Sequence, residues 1–126
     1  MATKPLILEI SSVLFLLSQN RVELVLKQDQ IPLLLGDEVA LFLQAMNYSI
    51  PASIQVMGLS GDEIKEAISL WREYPQISWA NVQAFLLAKN LNCPLLIEGR
   101  LIQACCQRLG LLSYEIAEFM SAMQVP

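Results

Sequence analysis

Two glutamates stand where a small α/β protein would keep its chemistry. Glu9 lies near the end of the apolar run of residues 5–10, and Ser11 and Ser12 follow that run directly. Glu98 follows the apolar run of residues 94–97 and precedes Gly99 and a helical pattern that stops at Gly110. A strand that feeds a helix through so short a turn is half of a βαβ unit, and such sheets place their ligands just past the carboxyl ends of the strands. Each residue also has a structural role open to it. Glu9 could accept hydrogen bonds from the start of the next helix or pair with Arg100, since a buried carboxylate without a partner is costly. Glu98 could favour the positive end of the helix it precedes. Ser11 suits a helix cap better than a phosphate contact.

The rest of the composition narrows the chemistry. The 126 residues contain no histidine, which removes the commonest neutral-pH acid or base, the Ser-His and Cys-His nucleophile pairs and most zinc sites. The three cysteines, Cys93, Cys105 and Cys106, read as reduced, buried thiols. Only 16% of residues are charged and the net charge is −4, a poor match to a phosphate-binding surface, and two nearby arginines, Arg100 and Arg108, do not make an RNA groove. Hydrophobic residues reach 55%, so elements covered on both faces, or a partner chain over part of the surface, are expected. Gly58-Leu59-Ser60-Gly61 is too sparse in glycine for a phosphate loop. Lys4 and the apolar residues after it imitate a signal peptide, but Glu9 interrupts the run and no small-x-small cleavage pattern follows. The expectation is a cytoplasmic protein with no membrane association.

The elements that would position these groups can be read in order. Residues 5–10 form a run typical of a strand buried on both faces, and Ser11 or Ser12 caps a helix through about Gln19. Residues 21–27 alternate like a strand, but their place between two strands suits a short helix better. Residues 31–35 are a second strand, and 37–46 a helix with Val39, Leu43 and Met46 inward. Residues 47–59 make a connection with one strand at 53–57. Ser60 and Glu63 are spaced as a capping box for a helix to about Tyr74, with Ile64, Ala67, Ile68 and Trp71 as its buried stripe. Ser78 caps a helix to about Leu91 that is apolar almost all round and therefore deeply buried, with Lys89 outward. Trp79 is less constrained, half exposed at a partner surface or cleft rim. Residues 111–113 form an edge strand, and 114–123 a last helix burying Ile116, Phe119, Met120 and Met123. The fold class is α/β: one domain over residues 1–126, with a small parallel sheet of about four strands between helices on both faces.

This order of elements resembles the PIN domain family, the metal-dependent ribonuclease fold of many toxin–antitoxin pairs, and most closely a short bacterial branch of it. The likeness is carried by LILEISSVLFLLSQNRVELVL at residues 6–26 and by NVQAFLLAKNLNCPLLIEGRLIQACCQRLGL at residues 81–111. The resemblance implies a site of three or four carboxylates holding Mg²⁺ or Mn²⁺. Its first acid falls on Glu9, with the nearby serine on Ser11. Its second falls near Leu41 or Phe42, with Asp37 and Glu38 about one helical turn away. Its third falls on the neutral Asn81, which could bond Glu9 or a water. Its fourth falls on Gly99, with Glu98 one residue early. The matching positions are thus Glu9, Ser11, Asn81 and Glu98, and only Glu9 and Glu98 could ligate a metal. Where an intact site presents about −3 to −4, this one presents about −1 to −2, a loss worth several kcal/mol of binding. The resemblance therefore implies a catalytically impaired binding or regulatory module with no cofactor, whose partners are an antitoxin-like or other protein and a second copy of the chain. The alternative is an active Mg/Mn-dependent endoribonuclease toxin using rearranged carboxylates (Glu9, Glu38 and Glu98), and only then is RNA a partner.

Overall fold

A computed structural model describes residues 4–123. Five strands form one all-parallel sheet: β1 (Leu6–Leu8), β2 (Leu33–Gly36), β3 (Gln55–Met57), β4 (Leu95–Ile97) and β5 (Ser113–Glu115). Their order across the sheet is β3-β2-β1-β4-β5. Seven helices connect or follow them: α1 (Ile10–Ser18), α2 (Val22–Lys27), α3 (Asp37–Ala45), α4 (Gly61–Glu73), α5 (Trp79–Leu91), α6 (Arg100–Arg108) and α7 (Ile116–Ala122).

The continuous apolar strands are explained by two cores. Leu6, Leu8, Leu33, Leu35 and Leu96 point to one face, where they pack with residues of α1, α2, α3 and α7. Ile7, Leu34, Leu95 and Ile97 point to the other, where α4, α5 and α6 cover them. Strand side chains alternate between faces, so a strand covered on both must be apolar at every position. The layers are therefore α/β/α. The central helix α5 is buried from Asn81 through Ala88, although Leu91 at its end is exposed.

Several expectations change. The sheet has five strands rather than four, because the short Gln55–Met57 segment and the last strand both join it. The last strand is Ser113–Glu115, two residues later than expected, and among the described residues it lies at the sheet edge beside β4. The second strand runs over Leu33–Gly36, since Pro32 lies before the ladder and its carbonyl accepts from the Leu6 N–H at 2.9 Å. The cap of α1 is Glu9, not a serine. Met46 ends α3 facing water. On α4 only Ala67 is buried, while Ile64, Ile68 and Trp71 are each about 40% exposed. The cause is that α4 packs mainly against α5, which covers only part of its apolar arc. The capping boxes at Ser60–Glu63 and Ser78–Asn81 are both formed, and the short helix at Val22–Lys27 is present. Among the described residues, no helix is long and apolar enough to cross a membrane.

Candidate functional site

The strand order reverses direction at β1 and β4. From β1 the chain winds outward through β2 to β3, and from β4 it winds the other way to β5. The crevice at such a switch point, beyond the carboxyl ends of the two strands, is where open α/β sheets bind ligands. Glu9 directly follows β1 and Glu98 directly follows β4, so the topology brings both to this place.

Glu9 is completely buried. One carboxylate oxygen accepts from the backbone N–H of Ser11, and the other accepts from the Ser11 hydroxyl at 3.1 Å. The same hydroxyl accepts from the Glu98 N–H at 3.0 Å. Ser11 thus ties the end of β1 to the end of β4. Ser12 turns inward as well, donating to the Glu9 carbonyl at 2.6 Å. From the helical layer on the second face, the Asn81 side chain adds a further hydrogen bond that favours the charged form of Glu9. Its Oδ1 accepts from Ser78 N–H and Oγ, both at 2.8 Å, which leaves the amide NH₂ as the donor. Burial nevertheless outweighs these bonds and pushes the Glu9 carboxyl up from 4.5 to about 7.

Arg100 does not answer Glu9. It is exposed at the start of α6 and forms no ion pair among the described residues. The helix turns away through Gly99, whose φ of +106° suits glycine alone. The half-buried Glu98 reaches instead toward the last helix, where its Oε1 accepts from the Ile116 N–H at 3.4 Å. Beneath the site lie Cys105 and Cys106. Burial, with Glu9 nearby, pushes the Cys106 thiol up to about 12, so it is a packed, unreactive group.

A second polar cluster stands at the carboxyl ends of β2 and β3. Gln83, buried on α5, donates to Asp37 Oδ1 at 2.5 Å and accepts from the Glu38 N–H at 3.2 Å. It therefore serves as the cap that α3 lacks at Gly36. A side chain at Gly36 would strike the Gln83 amide, and a Cβ at Gly58 would come within 2.5 Å of Asp37 Oδ2. Sequence reasoning missed Gln83. Its one signal was a polar residue in the middle of the most apolar helix.

The donors at this end of the sheet do not suit a divalent cation. Glu9 and Glu98 each commit one oxygen to a helix N–H, the second Glu9 oxygen accepts from the Ser11 hydroxyl, and no group of three or more His, Cys, Asp or Glu side chains among the described residues could hold a metal ion. That covers Glu9, Glu38 and Glu98 taken together. No protein-family model matches the chain, and no curated protein matches it.

Proposed function

We propose that this chain is a PIN-like domain whose acidic metal site has degenerated, and that it acts as a cytoplasmic protein-binding or regulatory module rather than a nuclease. The reading rests on the resemblance of residues 6–26 and 81–111. One observation supports its second half above the others: the strand-end carboxylate of Glu9 has no exposed surface, one of its oxygens caps α1 and the other accepts from the Ser11 hydroxyl. A hard divalent ion needs several anionic or carbonyl oxygens free to converge on it, with room for water. Here the third family acid is Asn81, whose amide donates toward Glu9 and would repel a cation. No metal-assisted step is assigned to the protein. What remains is a scaffold whose switch point is closed by polar bonds, in keeping with a role carried by its surface. The partners in view are an antitoxin-like or other protein, and a second copy of the chain.

The deciding experiment measures thermal unfolding and RNA cleavage with and without millimolar Mn²⁺. A metal present at a hundred times its Kd would stabilise the folded state by about 2.7 kcal/mol and raise Tm by several degrees. The expected result is an unchanged Tm and no Mn²⁺-dependent cleavage. Mn²⁺-dependent cleavage that Glu9→Gln abolishes would replace this reading with the endoribonuclease one.

A further inference from the structure

The strongest unexplained feature of the surface is α4. Ile64, Ile68 and Trp71 recur at the spacing of one helix face, yet all three are exposed. The helix is not loosely held. On its inner side, Glu66 pairs with Lys89 of α5 at 2.6 Å and Glu63 accepts from Asn90 at 2.6 Å. Trp71 is fixed as well: its indole N–H donates to the Ile77 carbonyl at 2.8 Å, and its ring lies 5.5 Å from that of the half-buried Trp79. The result is a rigid apolar stripe with an aromatic anchor at one end, the composition that carries binding energy in interfaces.

The charges beside the stripe say what fits it. At 100° per residue, Lys65 and Arg72 border it on the side away from α5, one residue after Ile64 and Trp71 respectively. Both are exposed and neither forms an ion pair among the described residues, in a chain of net charge −4. A second copy of α4 packed antiparallel across a two-fold axis would lay this cationic border against itself. A broad phosphate surface, from RNA or lipid, would also meet Asp62 and Glu73, the acids next around the helix from Lys65. A narrow helix with acidic residues on one flank meets only the stripe and its two cations.

We propose that the outer face of α4 is a docking site for an amphipathic α-helix of a partner protein, with apolar residues at i, i+4 and i+7 and Asp or Glu along one flank. This is helix-on-helix recognition, with apolar burial supplying affinity and Lys65 and Arg72 supplying orientation. It stands on α4 alone and does not depend on whether Glu9 binds a metal.

The test selects a phage-displayed library of amphipathic helical peptides, with flanking positions randomised among Glu, Lys, Gln and Ser, on the purified protein. The expected outcome is enrichment of acidic-flanked peptides. They should bind Ile68→Asp about 30-fold or more weakly, and the double variant Lys65→Glu/Arg72→Glu should favour Lys-flanked peptides instead. Both variants alter exposed side chains, and circular dichroism is the control that they fold. Three results would overturn the proposal: no enriched peptide, enrichment without a preference for acidic flanks, or peptides that bind Ile68→Asp undiminished. Sedimentation showing a dimer that Ile68→Asp dissociates would assign the stripe to self-association, which also overturns it.

Discussion

Removing the charge from Glu9 will change how stability depends on pH. The fold raises this carboxyl from 4.5 to about 7. Between those values the unfolded chain has released the proton and the native chain has kept it. Its contribution is therefore fully present below pH 4.5 and is lost as pH rises to about 7, a decline of about 3 kcal/mol. Urea denaturation across pH 4–8 should show this fall in wild type, and Glu9→Gln should lose it. A wild-type curve that is flat, or that rises, through this window would show that Glu9 is not buried as described. At the same scale, the sequence showed a carboxylate at a strand end that needed a partner. It did not show that the partners would be Ser11 and Asn81 rather than Arg100. Ser11 is two residues away, and the local cap geometry could be anticipated. Asn81 lies on a helix that reaches β1 only through the tertiary fold.

At the scale of elements, α5 depends on the cap at its first turn. Ser78 Oγ accepts from the Asn81 N–H at 3.2 Å and donates to its side chain. Ser78→Ala should cost about 1 kcal/mol, read as a lower urea midpoint with an unchanged m-value. Because Ser78 also orients the amide that faces Glu9, the same variant should move the Glu9 titration upward. An unaltered titration would mean that Asn81 keeps its place without the cap. The caps of α4 and α5 were legible because Ser and its partner lie three residues apart. The buried face of α4 was not. Its apolar residues describe an arc, and which part of that arc meets a neighbour depends on α5, which contributes Lys89 and Asn90 to the contact.

Across the molecule, stability should be graded from the centre of the sheet outward. β1 has neighbours on both sides and β4 joins it at the switch point, whereas β3 is an edge strand with Gln55 and Val56 exposed. Amide hydrogen exchange should be slowest in β1, β4 and α5 and much faster in β3, since opening an edge exposes little apolar surface. Equal protection of β3 and β1 would indicate that the edge is covered in solution, for instance by a partner strand. The two-sided burial that produces this gradient was visible in the chain. The nearly continuous aliphatic runs at residues 5–10 and 94–97 have no other economical use in a chain this short. The two outer strands were legible only approximately, at residues 53–57 and 111–113, because the Gln55–Met57 and Ser113–Glu115 segments carry too few apolar residues to fix their bounds.

The amino-acid order alone determined a parallel α/β sheet, helices capped at Ser60 and Ser78, and a strand-end acid at Glu9, because each follows from interactions within a few residues or from simple periodicity. The tertiary structure alone decided that Asn81 would face Glu9, that Gln83 would cap α3 from 45 positions away through the Glu38 N–H, and that the stripe on α4 would face outward. Those outcomes depend on which surfaces meet, and no local pattern encodes the far side of a contact.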